Sequence, residues 1–288
     1  MLMAHGMQRT FLKGALLSVL ATALCSCVSV PKIPSEPQPF TFVQMCDTHI
    51  GARYEHHLKT FSQAVVQVND LEPDFVVICG DLVARAYEKS VIDFNRIKAE
   101  LKMPCHIVPG NHDVFWGPHD RHAGLSQQQS LEHYRTSFGH DYYAFEHKGY
   151  MFICVNTPLW QSVVDLKDEQ AKHDKWLAEA LVTAAKRGLP IFIITHHPLY
   201  VKSPNEPDGY SILPSAKRNE LLALFEKHGV VAVLSGHAHR VIINDYNGIQ
   251  LVAGETTSRT HGSPLGFRMW HIGEQRPFTH VSVPLEGL

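Results

Sequence analysis

Short apolar runs alternate with helix-spaced segments in the first part of the chain after residue 40. Residues 40–46, 74–79 and 105–108 are such runs and predict strands. The run over residues 74–79 is nearly continuous, a pattern typical of a strand that is covered on both faces. Residues 57–71 and 90–102 carry apolar side chains at helical spacing. The order strand, helix, strand, helix, strand predicts an α/β fold with parallel strands joined by right-handed crossovers.

The second half of the chain continues this pattern after a looser region. Residues 114–139 predict a loop with a short helix near residues 131–138. The elements predicted next are a hairpin of residues 142–146 and 150–156, helices over 168–186 and 215–228, and strands over 191–194 and 230–234. The remaining residues are rich in β-branched side chains and turn dipeptides such as Asn247-Gly248, which predicts antiparallel strands that close a second sheet.

The first 27 residues have the pattern of an export signal, so they are left out of the fold prediction. An apolar run over residues 11–24 is too short for a membrane span and ends in Leu24-Cys25-Ser26-Cys27. This tetrapeptide resembles a bacterial lipobox whose Cys27 is acylated, although Cys25 departs from the usual small residue. Residues 28–39 contain four prolines and predict an extended tether, which leaves residues 40–288 for the folded domain.

The protein is therefore expected on the periplasmic or outer face of a membrane. A lipid on Cys27 would be its only attachment to that membrane. Two alternatives remain open. The signal could be cleaved without lipidation, which would give a soluble periplasmic or secreted protein, or it could stay uncut as an anchor.

Composition and charge limit the possible partners. The chain has 288 residues, 44% of them hydrophobic, so it can bury a large core. A net charge of −2 gives no field that would gather long nucleic acid, whereas small anionic substrates remain possible. The cysteines outside the signal, Cys46, Cys79, Cys105 and Cys154, all lie in apolar runs and are predicted to be buried.

Five of the strand-like runs end in polar clusters of similar chemistry. These clusters are Asp47 with His49, Asp81, Asn111 with His112, His196, and His237 with His239. Carboxylate, imidazole and amide groups are ligands that borderline divalent cations accept. Alternate residues of an extended segment share one face, so both members of each Asp-x-His or His-x-His pair can point to one centre.

Two cations fit this set better than one cation does. The seven candidate ligands, with His112 left aside, exceed the needs of one tetrahedral site, and a shared carboxylate could bridge two ions about 3.5–4 Å apart. Taken alone, the run Gly110-Asn111-His112-Asp113 also fits an ordinary polar turn. The other clusters favour the metal site.

The complete series of motifs resembles the calcineurin-like metallophosphoesterase superfamily. It consists of Asp47-x-His49, Gly80-Asp81, Gly110-Asn111-His112-Asp113, His196 and Gly236-His237-x-His239. The resemblance implies two mixed β-sheets packed face to face, with helices on the outer faces. It also implies two divalent metal ions, which would be Mn, Fe or Zn.

The resemblance assigns a role to each motif residue. One ion would be held by Asp47, His49, Asp81 and His239, and the other by Asp81, Asn111, His196 and His237, with Asp81 as the bridge. His112 would face the substrate as the acid, and Asp113 would orient its imidazole. The implied reaction is hydrolysis of a phosphoric monoester or diester by a hydroxide that bridges the two ions.

A small phosphorylated substrate is expected, and the residues that select it are less defined. Arg53, His197 and Arg240 are the main candidates, although His197 is also predicted to point away from His196 and to be structural. Further loop candidates are Tyr54, Trp116, Tyr200, Arg259 and His261. For all of these loop residues, and for Arg53 and Arg240, an ordinary solvated side chain is an equal alternative. A non-catalytic scaffold of the same fold, a metal-dependent nuclease and a metal-sequestering surface protein are the alternative functions.

Overall fold

Two mixed β-sheets with helices form the computed structural model, which describes residues 38–51, 55–114, 125–161, 165–258, 262–273 and 278–288. The predicted signal, Cys27 and most of the tether lie outside the described residues. Among the candidate substrate residues, Arg53, Tyr54, Trp116, Arg259 and His261 also lie outside them.

The bounds of the strands and helices are close to the predicted ones. The strands are β1 (Phe40–Met45), β2 (Phe75–Ile78), β3 (Cys105–Ile107), β4 (Tyr143–His147), β5 (Tyr150–Cys154), β6 (Ile191–Ile194), β7 (Val230–Ser235), β8 (Ile242–Tyr246), β9 (Ile249–Ala253), β10 (Gly266–Ile272) and β11 (Phe278–Pro284). The helices are α1 (Glu55–Leu71), α2 (Glu88–Lys98), α3 (Asn111–Val114), α4 (Gln127–Phe138), α5 (Lys167–Lys186) and α6 (Ser215–His228). None of the described helices is both long enough and apolar enough to cross a bilayer.

The parallel strands place their carboxyl ends at one edge of each sheet. The first sheet has the order β11-β10-β1-β2-β3, with β1, β2 and β3 parallel. The second has the order β4-β5-β6-β7-β9-β8, with β5, β6, β7 and β9 parallel. The predicted α/β fold of two mixed sheets is therefore confirmed, and the predicted polar clusters follow strands whose ends are neighbours.

The C-terminal strands differ from the sequence prediction. Only β8 and β9 join the second sheet, and β9 pairs with β7 in parallel. Strands β10 and β11 extend the first sheet instead, with Trp270 of β10 opposite Phe42 of β1. Without β10, one side of the buried strand β1 would be an unpaired edge, which explains why the chain returns to the first sheet.

Alternation along β1 separates the core into layers. Phe42 faces the second sheet, where its ring stacks on Phe75 and Trp270 at centroid distances of 5.0 and 5.5 Å. Val43 and Met45 face the opposite way and pack in the cluster that includes α1 and α2. A third cluster joins α5 and α6 to the outer face of the second sheet. The helices thus cover both outer faces, as predicted.

The cysteines are part of this packing. Cys46, Cys79 and Cys154 are buried and Cys105 is partly buried, and none of these described cysteines forms a disulfide. Burial raises the pKa of the Cys105 thiol to about 12. The described thiols therefore behave as small apolar side chains, as the sequence predicts.

Candidate metal centre

Five of the predicted ligands adopt a left-handed backbone conformation just after their strands. Their φ angles are +55° at Asp47, +45° at His49, +52° at Asp81, +64° at His237 and +50° at His239. This conformation is uncommon outside glycine and costs on the order of 1–3 kcal/mol, so it persists only where the surrounding structure enforces it. Here it bends each strand end so that the side chains turn inward.

The first group of side chains contains Asp47, His49, Asp81 and His239. Each offers one potential ligand atom, and these atoms all lie within 4.8 Å of one another among buried side chains. The Nε2 atoms of His49 and His239 are only 3.0 Å apart, and His49 Nε2 is 3.4 Å from Asp81 Oδ2. Imidazole nitrogens facing each other beside carboxylates form a donor set that suits a borderline divalent cation.

The second group meets at the Nε2 atom of His196. This atom lies 3.1 Å from Asn111 Oδ1, 3.1 Å from His237 Nδ1 and 3.3 Å from Asp81 Oδ1. The structure therefore brings together the four side chains that the family resemblance assigns to the second cation. We refer below to Asp81, Asn111, His196 and His237 as the second ligand group.

Backbone carbonyls decide which nitrogen of each ring faces this group. The Nδ1 of His196 donates to the carbonyl of Cys79 at 2.8 Å, which leaves Nε2 as the inward atom. The Nε2 of His237 donates to the carbonyl of Tyr210 at 3.0 Å, which leaves Nδ1 inward. Such outer hydrogen bonds fix the tautomer that a metal ligand needs.

Asp81 joins the two groups. One of its carboxylate oxygens faces His49 and the other faces His196, at 3.4 and 3.3 Å. Burial alone would raise the pKa of Asp81, but the imidazoles of His196, His112 and His49 hold it well below its ordinary value. The ionised form of the carboxylate is thus favoured, and it lies between the two groups of potential ligands.

The electrostatics of the site also favour positive charge at its centre. Burial alone would lower the pKa of His196, but Asp81 and Asp47 raise it to about 9. In contrast, burial and the neighbouring His196 lower the pKa of His237 to about 3. Asp81 and Asp47 thus stabilise positive charge on the neighbouring imidazole of His196, and bound divalent cations would place positive charge beside the same carboxylates.

Two motif glycines are necessary for this close packing. A Cβ atom on Gly110 would overlap the backbone nitrogen and a carboxylate oxygen of Asp81. A Cβ atom on Gly236 would lie 2.9 Å from Oδ2 of Asp47. The glycines in the motifs thus allow the backbone to approach the carboxylates.

His112 lies beside the candidate ligands, but its Nε2 atom is farther from Asp81 than those of His49 and His196 are. Its Nδ1 donates to the carbonyl of Ala84 at 2.9 Å, and its Nε2 lies 4.0 Å from Asp81 Oδ2. Its ring meets that of His49 edge-on at 4.6 Å. The side chain keeps 14% of its surface exposed, which suits a group that meets a substrate.

Asp113 does not have the predicted role of orienting the His112 ring. Its carboxylate accepts hydrogen bonds from the backbone N–H groups of Leu82, Val83 and Gly110 at 3.2, 3.1 and 2.8 Å. Burial and the nearby Asp81 raise the pKa of Asp113 to about 7. The residue therefore ties two motif loops together, and Ala84 replaces it as the partner of the His112 imidazole.

His197 has the predicted structural role, but its ring does not have the predicted direction. Its ring does not point away from the site, because one ring nitrogen lies within 4.8 Å of the ligand nitrogens of His196 and His237. Its Nδ1 lies 2.9 Å from the hydroxyl of Thr157. The residue is 2% exposed, so it has almost no surface for the predicted substrate contact and instead supports the second ligand group.

The remaining candidates for substrate contacts divide into two kinds. Arg240 is exposed and directly follows His239. Tyr200 is buried and its hydroxyl donates to the carbonyl of Asp245 at 3.3 Å, so it belongs to the core rather than to a substrate site. Sequence reasoning does not single out Tyr210 or Ala84, because a loop tyrosine and a backbone carbonyl carry no motif signal.

Fold and site together define a class of metal-dependent phosphoesterases. A sequence model described as calcineurin-like phosphoesterase matches residues 40–241, which is more than half of the chain. The chain belongs to this family, and it is a hydrolase of phosphoric esters.

Relatives and solved structures agree with this placement. The chain is 28% identical over 253 residues to the serine/threonine-protein phosphatase CPPED1 of Bos taurus, covering 78% of each protein. It is 25% identical to the 3',5'-cyclic adenosine monophosphate phosphodiesterase CpdA of Escherichia coli, covering 75% of each. A dimetal phosphatase from Danio rerio has a similar fold, with a TM-score of 0.63 at 15% identity over 84% of this chain and 95% of that one.

Proposed function

We propose that this protein is a phosphomonoesterase that uses two divalent cations, held on either side of Asp81, to hydrolyse a small phosphorylated substrate. The observation that carries the proposal is the position of Asp81 between the two groups of ligands, with His112 Nε2 facing the same carboxylate. The relatives named as protein phosphatases support a monoester substrate. A diester is the second candidate, supported by the relative named as a cyclic nucleotide phosphodiesterase.

The side chains of this site suit a direct hydrolysis. When bound, the cations would lower the pKa of a water molecule and polarise the phosphoryl oxygens. His112 is held by Ala84 with Nε2 toward the centre, where a protonated imidazole can donate to the leaving oxygen. The same Nε2 lies 4.0 Å from Oδ2 of Asp81, so it faces the carboxylate that joins the two ligand groups. These groups would then act by positioning the substrate and by stabilising the charge that develops in the transition state, and they are already in place before the substrate binds.

The donor set limits the identity of the cations. Imidazole nitrogens, carboxylates and one amide oxygen suit Mn, Fe or Zn better than Ca or Mg, which prefer oxygen ligands. We therefore expect activity when one of these three metals is returned to metal-stripped protein.

The direct test is hydrolysis of 4-nitrophenyl phosphate and bis(4-nitrophenyl) phosphate by metal-stripped protein supplied with Mn²⁺, Zn²⁺ or Fe²⁺. We expect the monoester to be hydrolysed with the higher kcat/KM and His112→Gln to lose most of that activity. His228→Gln, a change on α6 outside the site, is the matched control and should retain it. A preference for the diester would make the protein a phosphodiesterase, and no turnover with any cation would favour the non-catalytic scaffold.

We also propose that a lipid on Cys27 anchors the protein to a membrane, with the site facing away from that surface. The lipobox-like sequence and the proline-rich tether support this proposal. The chain enters β1 at Phe40, whereas Asp47 follows the other end of that strand, about 20 Å away. Cys27→Ser should abolish incorporation of labelled fatty acid and release the protein from the membrane fraction. Membrane retention by that variant would reject the lipid anchor.

A further inference from the structure

We propose that Tyr210 is a substrate-contact residue whose ring forms the wall of the site on which a planar, aromatic leaving group stacks. This inference rests on the proposed function and specifies the class of substrate. It is carried by the contacts of Tyr210 with the second ligand group and by its exposure.

Tyr210 contacts two members of the second ligand group at once. Its hydroxyl accepts a hydrogen bond from Nδ2 of Asn111 at 3.3 Å. Its ring lies 4.9 Å from the ring of His237, and its backbone carbonyl accepts the hydrogen bond from His237 Nε2. The aromatic ring therefore extends from one ligand of the second cation to another.

The exposure of Tyr210 contrasts with that of its neighbours. Tyr210 is 74% exposed, whereas His237 is 7% and His196 is 0% exposed. A large aromatic surface thus lies open to solvent directly beside a buried polar centre. A group attached to a phosphate at that centre would meet this ring when it extends toward solvent on the side of Asn111 and His237.

The loop that carries Tyr210 is held in place by a buried arginine. Arg218 of α6 is fully buried, and its guanidinium donates to the carbonyls of Glu206 and Leu213 at 2.6 and 3.3 Å. These carbonyls lie on either side of Tyr210 in the chain. The guanidinium therefore clamps the two arms of the loop to α6.

Further hydrogen bonds fix the same loop from outside. The carboxylate of Glu206 accepts the backbone N–H groups of Val201 and Lys202 at 2.5 and 3.1 Å. The side-chain amide of Gln161 donates to the carbonyl of Ile212 at 2.9 Å. A ring on a prefixed loop loses little conformational freedom when a ligand binds, so its contact area can contribute to affinity.

The chemistry of the ring indicates the kind of leaving group. Offset or edge-to-face contacts between aromatic rings contribute an amount that corresponds to about 2- to 12-fold in affinity. An alkyl group of a small ester offers no such contact. The site should therefore distinguish phosphoryl compounds with an aromatic substituent from those with a methyl substituent.

The test compares two phosphonates that differ only in this substituent and are not hydrolysed. Binding of phenylphosphonate and methylphosphonate to the metal-loaded full chain is measured by calorimetry for the wild type, Tyr210→Leu and Tyr210→Phe. We expect the wild type to bind phenylphosphonate about 2- to 12-fold more tightly. Tyr210→Leu should abolish this preference, and Tyr210→Phe should retain it because the ring remains.

Other results would overturn the inference. They are equal binding of both compounds by the wild type, binding of neither, or a preference that persists in Tyr210→Leu. Loss of the preference in Tyr210→Phe as well would show that the hydroxyl acts through Asn111 and that the ring is not the contact. A wild type that hydrolyses no ester would reject the proposed function, whereas this comparison measures binding and would still decide the role of Tyr210.

Discussion

The Nδ1 of His112 donates a hydrogen bond of 2.9 Å to the backbone carbonyl of Ala84. A carbonyl can only accept, so this contact holds a proton on Nδ1 and directs Nε2 toward Asp81. The orientation of the acid thus depends on the path of the loop after β2. That loop is in turn held by Asp113, which accepts the N–H groups of Leu82 and Val83.

His112→Ala should remove the acid without removing the cations. We expect kcat to fall by about 10²- to 10⁴-fold, the usual contribution of a positioned acid, while metal content stays unchanged. The measurement is steady-state kinetics together with elemental analysis of the same sample. Loss of metal from His112→Ala would instead place this imidazole among the ligands.

Gly110→Ala should prevent metal binding, because the added methyl group would overlap Asp81. Gly209→Ala is a suitable control, since a Cβ atom there meets no atom within 4 Å. We expect elemental analysis to show reduced metal in Gly110→Ala and wild-type metal in Gly209→Ala. Full metal content in Gly110→Ala would contradict this prediction, because it would mean that the loops of Gly110 and Asp81 can move apart without weakening metal binding.

Glu255 and Arg268 form a buried ion pair behind the site. Their side chains are 1% and 5% exposed and 2.6 Å apart. Glu255→Ala should lower the free energy of unfolding by about 3–5 kcal/mol, because it leaves the guanidinium buried without its charge partner. The double change Glu255→Ala with Arg268→Met should cost less than the sum of the single changes in urea unfolding. Additive costs would show that the pair is not coupled.

His173 should make the protein less stable in acid. Burial lowers the pKa of His173 to about 4 from its ordinary value of 6.5, so the unfolded chain binds this proton more readily than the folded one does. The contribution of the neutral His173 to the free energy of unfolding is therefore fully present above pH 6.5. It is lost as the pH falls toward 4, at up to about 1.4 kcal/mol per pH unit. Urea unfolding of the wild type and His173→Gln checks this. Parallel pH profiles for the two proteins would contradict it.

The sequence was sufficient to predict features that follow from periodicity. Alternation of Phe42 with Val43 places one side chain between the sheets and the other under the helices, and short apolar runs locate β1, β2 and β6 within a residue or two. The order of these strands brings their polar ends to one edge, which is why the polar clusters could be predicted to meet there. The assignment of seven of these residues as ligands, with His112 set aside, came from the family resemblance.

Other features depend on contacts that spacing does not encode. Asp81 has a left-handed backbone conformation, which the packed loops around it enforce. The dipeptide Gly80-Asp81 alone does not predict this conformation. The sequence prediction paired Asp113 with the imidazole of His112, which was wrong. Three backbone N–H groups donate to its carboxylate instead, and no sequence pattern indicates such contacts. The return of β10 to the first sheet is likewise a long-range pairing between positions 42 and 270.

The most direct test of the account is calorimetric titration of metal-stripped protein with Mn²⁺, for the wild type and for Asp81→Ala. Asp70→Ala, which removes an exposed carboxylate on α1, is the control. We predict two ions per chain for the wild type and the control, and weakened binding at both sites in Asp81→Ala because Asp81 serves both. A wild type that binds one ion or none, or an Asp81→Ala variant that binds two ions with wild-type affinity, would contradict the account.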